Sequence, residues 1–133
     1  MTLCLDLRDS GAQRSAMPTI RDLVATLSRR QGVDAAVVLG RDGLLIDGQS
    51  IRSLDPEHLA AQVPPIVLSA VDLGLTARRG GLVQMVMSYD SGTVIVMALS
   101  DDASLLLLLS SEADLASLLY ELRRHRSQLS TLV

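Results

Sequence analysis

The sequence predicts a single α+β domain: one five-stranded antiparallel sheet with helices on both faces, in the order α-β-β-α-β-β-β-α. Three observations carry this expectation. Ser104 to Ser110 contains five consecutive leucines, Leu105 to Leu109. A strand apolar on both faces has to be central, with a layer covering each side of its sheet. Two segments, beginning at Ile20 and Leu115, repeat apolar residues at helical spacing and leave their charges on the opposite side. A third, Leu59 to Ala77, carries Asp72 as its one charged residue and has to be buried nearly all round.

The elements follow in order. Met1 to Met17 shows no clear period and reads as a flexible tail, with Leu3-Cys4-Leu5-Asp6-Leu7 as a possible short pairing segment. The domain is expected over residues 18–130. Thr19-Ile20-Arg21-Asp22 has the character of a capping box, with Asp in place of the usual Glu. Ile20, Leu23, Val24 and Leu27 then form one stripe. Arg29 and Arg30 suit the last turn of this first helix, and Gly32 stops it.

Ala35 to Leu39 and Leu44 to Ile46 flank Arg41-Asp42-Gly43, a hairpin signal. Asp55 can cap a second helix, with Pro56 at its first position. That helix is expected to run to about Ala77 and to end near Gly80-Gly81. Pro64-Pro65 should kink it or break it into a short turn and a second helix. Leu82 to Met87, Thr93 to Leu99 and Ser104 to Ser110 are the remaining strands. Ser111-Glu112-Ala113-Asp114 caps a third helix with the stripe Leu115, Leu118, Leu119 and Leu122.

At 133 residues the chain is one domain by size. It has no Phe and no Trp, so it offers no aromatic cage and no platform for stacking bases. Its formal charge of -3 argues against a nucleic-acid partner. One cysteine, Cys4, and an N-terminus without a signal-peptide pattern suit the reducing cytoplasm. The apolar run Leu105 to Leu109 is too short to span a membrane, so no membrane insertion is expected.

Catalytic chemistry finds little support. Gly80-Gly81 lacks the Lys-Ser/Thr of a phosphate loop, so the chain is not expected to be a GTPase itself. His58 and His125 have no ligand-spaced companions, and no metal or cofactor is expected. Cys4 lacks a neighbouring base. Asp101-Asp102 reads as turn chemistry. Arg78 and Arg79 follow helix two. They read first as cations at a helix C-terminus, and second as a source of an arginine supplied in trans to a phosphoryl group.

Helix two is the informative element. Leu59, Val63, Ile66, Val67, Ala70 and Leu73 form one stripe, and Leu68, Val71 and Leu75 lie off it. Helices one and three can share one side of the sheet, which leaves helix two alone on the other with its outer face uncovered. An apolar patch of that size marks a partner surface, and a two-fold axis covers both copies at once. The alternative cover is the N-terminal tail.

The run Val33-Asp34-Ala35-Ala36-Val37-Val38-Leu39-Gly40-Arg41-Asp42-Gly43-Leu44-Leu45-Ile46 resembles the first hairpin of Roadblock/dynein light chain domains. Ser104 to Leu109, followed by Asp114-Leu115 and Leu118-Leu119-Tyr120-Glu121-Leu122-Arg123-Arg124, resembles their last strand and helix. The element order agrees, over about Pro18 to Arg126. The departures are Pro64-Pro65 and the long N-terminal tail.

The resemblance implies a profilin-like sheet with the first and third helices on one face and the second on the other. It implies a homodimer through the second helix and third strand, involving Leu59, Val63, Ile66, Val67, Ala70, Leu73, Val83, Met85 and Met87. It further implies a non-enzymatic regulator of a Ras-like small GTPase, gliding-motility GTPases among them, or an adaptor in a motor or signalling complex. Leu68, Val71, Asp72, Leu75, Arg78 and Arg79 are the candidates for the partner contact. A structural adaptor without any GTPase contact is the other reading. A small-ligand sensor is disfavoured by the missing aromatics and the lack of a convergent polar cluster.

Overall fold

The computed structural model describes residues 19–124 and 126. The tail, its Leu3 to Leu7 pairing segment, Cys4 and His125 lie outside the described residues. The elements are α1 (Ile20–Ser28), β1 (Val33–Gly40), β2 (Leu45–Ser50), α2 (Pro56–Thr76), β3 (Gln84–Tyr89), β4 (Gly92–Ser100), β5 (Ala103–Leu109) and α3 (Leu115–Arg124). The expected order is the observed one.

Local signals act where the sequence places them. The Thr19 hydroxyl accepts from the Asp22 N–H, and the Asp22 carboxylate accepts from the Thr19 N–H, both at 3.1 Å. This closes the capping box of α1. Asp114 caps α3 with a single bond, accepting from the Ser117 N–H at 3.1 Å. Helix α1 ends two residues sooner than its arginines suggest. Arg29 is its C-cap, Arg30 lies beyond it, and Gly32 turns the chain into β1 at a φ of +86°. Arg30 serves a different purpose from the expected helix-end cation. It donates to both carboxylate oxygens of Glu121 on α3, at 3.1 and 3.2 Å.

The strands form one sheet in the order β2-β1-β5-β4-β3, and every described pairing is antiparallel. The leucine run is the middle strand, between β1 and β4. Alternation along β5 divides the core into two layers. Leu105, Leu107 and Leu109 join Leu23, Val24 and Leu27 of α1 and Leu118 and Leu122 of α3 on one face. Leu106 joins Val37, Leu39, Val96 and the α2 residues Ala60 and Val63 on the other. Each fully buried leucine contributes about 2 kcal/mol of transfer free energy. The two faces therefore hold the strand from both sides.

The sheet's two edges differ. On β2, Leu39 pairs with Leu45 and Val38 with Asp47, which leaves Ile46 as an extra residue in a β-bulge. The strand is longer than the Leu44 to Ile46 run expected from sequence, because pairing continues past the bulge to Ser50. On β3 the register with β4 is continuous from Gln84 to Tyr89. The strand starts two residues later than Leu82, although the Val83 carbonyl still accepts from the Ala98 N–H at 3.2 Å.

Glu121 is 5% exposed and its charge is matched by Arg30. Replacing one partner of a buried pair strands the other in a poor dielectric. Glu121→Ala is expected to cost about 2–3 kcal/mol, and Arg30→Ala less, since the Arg30 side chain is 18% exposed. Urea unfolding of both variants and of the double variant checks this. The double variant should cost clearly less than the two single losses added together.

Candidate interaction surface

Helix α2 begins at Pro56, where the Asp55 side chain accepts from the Glu57 N–H at 3.0 Å. It then runs 21 residues without interruption through Pro64 and Pro65. The expected break does not occur. Ala60 and Val63 anchor the first half to the sheet. The β1–β2 turn supports the same stretch from the side: at Gly43, with a φ of +87°, an added Cβ would lie 3.1 Å from Pro64 Cγ. Ala61 is exposed, so water can take the bond that Pro65 does not donate.

This support ends midway. Val63 is the last fully buried residue of α2. Beyond it Leu68, Leu73 and Leu75 are 66%, 68% and 63% exposed. The single stripe expected from sequence is thus divided in two by the fold. Leu59, Val63 and Val67 pack on the chain's own sheet. Ile66 and Leu73 face solvent on one flank, and Leu68 and Leu75 on another. At 3.6 residues per turn the two flanks stand about 160° apart.

The helix also covers only part of its face, packing on β1 and β2. Met85, Met87, Val94 and Leu108 remain half-buried on the rest of that face, beside the β3 edge. Helix two and strand three are thereby brought into one cluster, which holds Leu59, Val63, Val67, Met85 and Met87.

The edge itself is open. The Val83 carbonyl accepts from Ala98, and antiparallel ladders alternate, so Gln84, Val86 and Ser88 direct their backbone N–H and C=O groups outward. The strand reads Gln-Met-Val-Met-Ser-Tyr, with no charge, no proline and no bulge. Those are the devices by which proteins blunt an exposed edge. With its amide oxygen turned toward α3, Gln84 accepts from Arg123 Nε and Nη2, both at 3.2 Å.

The sequence-derived candidates fall as follows. Val63 is buried, 3% exposed, inside the chain's own core. Leu59, Val67, Ala70, Val71, Met85 and Met87 are half-buried. Ile66, Leu68, Asp72, Leu73, Leu75, Arg78, Arg79 and Val83 are exposed. Sequence reasoning missed Leu44 and Val86, both exposed. Val86 was detectable, since apolar residues occupy both faces of β3. Leu44 was not, because it lies in the turn whose Gly43 approaches Pro64, a contact between distant segments. Arg78 and Arg79 meet no carboxylate among the described residues.

One helix bears on the expectation of no membrane insertion without overturning it. By length and composition alone, Pro56–Thr76 is long and apolar enough to cross one, spanning about 32 Å. The sequence reading counted unbroken apolar runs and so overlooked a helix interrupted by small and polar residues. In the fold its first half is docked on the sheet by Ala60 and Val63.

The Roadblock/LC7 domain matches residues 19–109. No curated protein matches the chain. Among solved structures, the gliding protein MglB of Thermus thermophilus is similar at 17% identity and a TM-score of 0.71, covering 82% of this chain and 84% of that one. A Roadblock/LC7 domain from Streptomyces avermitilis is similar at 27% identity and a TM-score of 0.66, covering 79% and 86%. An MglB with a tetrameric arrangement is similar at 16% identity and a TM-score of 0.74, covering 88% and 90%. The stripes, the hairpin and the two-faced sheet thus have one family explanation, and the chain belongs to the Roadblock/LC7 domain family.

Proposed function

We propose that this protein is a cytoplasmic, non-catalytic homodimer that binds a Ras-like small GTPase and modulates its nucleotide state. The observation that carries the dimer is the contrast between the two sheet edges. The β2 edge is bulged at Ile46, whereas the β3 edge is regular, uncharged and open. A second copy pairing along β3 satisfies the outward groups of Gln84, Val86 and Ser88. It also brings a second set of apolar side chains to the half-open face around Met85, Met87, Val94 and Leu108.

The GTPase reading rests on membership of the Roadblock/LC7 family and on likeness in fold to MglB proteins, one of them a gliding protein. Helix α2 adds a physical reason. Its two exposed flanks point in nearly opposite directions, so one neighbouring helix covers only one of them. Ile66 and Leu73 are assigned to the second copy. Leu68, Val71 and Leu75 are left for a different partner.

Light scattering tests the dimer. Wild type is expected at twice the chain mass. Val86→Pro removes an outward N–H without breaking the β3–β4 ladder and is expected to give a folded monomer. Ile66→Asp with Leu73→Asp should weaken the dimer from the helix side, and both positions are exposed enough to leave the core intact. A wild-type monomer at micromolar concentration overturns this part of the reading.

The partner is tested by titrating the Ras-like GTPases of the source organism, each loaded with a non-hydrolysable GTP analogue or with GDP. A regulator is expected to prefer the GTP form by about tenfold or more, roughly 1.4 kcal/mol. Equal affinity leaves an adaptor. Failure to bind any of them leaves a structural dimer without GTPase contact.

A further inference from the structure

Arg78 stands one residue past the C-cap of α2, with a φ of +57°. Its N–H donates to the Leu75 carbonyl at 3.1 Å, and the Arg79 N–H donates to the Gly74 carbonyl at 2.8 Å. This pair of bonds closes the helix and requires a left-handed residue at the pivot. Glycine takes that conformation freely, whereas the Cβ of any other residue crowds the next carbonyl. Among non-glycine described residues, Arg78 alone has a positive φ. Glycine is close by but displaced: Gly81, three residues on, has an ordinary φ, and a Cβ there would meet nothing within 4 Å. The chain thus keeps an arginine where glycine is the stable choice.

Attraction of a cation to a helix C-terminus does not account for this. With glycine at 78, Arg79 would still supply that charge. Both arginines are exposed, and neither meets a carboxylate among the described residues. They lie at the end of the helix that exposes Leu68 and Leu75. Arginine is among the residues enriched in binding hot spots.

The chemistry of the occupant follows from charge. The chain carries -3 overall, so the arginine pair is a local positive point on an acidic protein and selects an acidic surface opposite it. The partial negative charge of the helix C-terminus disfavours a multiply charged phosphate more than a single carboxylate. We propose that Arg78 is a partner-recognition residue whose guanidinium engages a carboxylate on the surface of the GTPase. This rests on the GTPase reading above.

The test compares Arg78→Gly with wild type in two measurements. Thermal unfolding in about 0.5 M salt, where the helix-end attraction is screened, should show the variant melting higher, by about 3–5 °C. Binding to the GTPase that wild type binds should weaken about tenfold and lose part of its salt dependence, with the dimer mass unchanged. A lower melting temperature overturns the argument from strain. Unchanged affinity overturns recognition. Unchanged affinity with lost stimulation of GTP hydrolysis assigns Arg78 to the phosphates and overturns the carboxylate. If wild type binds no GTPase, the functional reading and this inference fail together; if wild type binds and the variant binds equally well, only this inference fails.

Discussion

The fold depends on one constraint: β5 is apolar on both of its faces. Leu105, Leu107 and Leu109 need one cover, and Leu106 and Leu108 need another. The chain answers the first demand with two helices and the second with one. On the first face α1 and α3 contribute side chains to one core layer, and Arg30, just past α1, pairs with Glu121 of α3. On the second face α2 covers β1 and β2 and leaves the ground toward β3 half open. The interaction surface is therefore a direct result of having three helices for two faces, and the shortfall lies beside the one regular edge.

Stability and availability are divided along the length of α2. The first half is anchored by Ala60 and Val63 and propped at Pro64 by the hairpin turn. The second half, from Leu68 to Thr76, carries leucines that no described residue buries. Its apolar character without a core of its own explains why the helix looked, in sequence, like an element that had to be buried all round. The prolines fall at the boundary between the two halves. They weaken the helix where the sheet and the turn are still present to hold it.

Much of this was legible from residue patterns. The capping box at Thr19, the Asp42-Gly43 turn and the leucine strand each act over a few residues, and each was correctly placed; the stop expected at Gly32 falls at Arg29 instead. The two-layer core follows from alternation along β5. What sequence could not supply was the assignment of α2 residues to inside or outside. Leu59, Val63, Ile66, Val67, Ala70 and Leu73 share a helical spacing, but only packing decides that Val63 is spent on the chain's own sheet while Leu73 is free. The pairing of Arg30 with Glu121, 91 residues apart, is equally invisible to local spacing. The close approach of Gly43 to Pro64 within α2 is a contact from another element.

In the proposed dimer, the bulge at Ile46 shapes the outer ends of the joined sheet. The combined sheet ends, on both sides, in a β2 strand whose extra residue spoils the ladder a third chain would need. Strand addition of the proposed kind then has no regular edge left on which to continue.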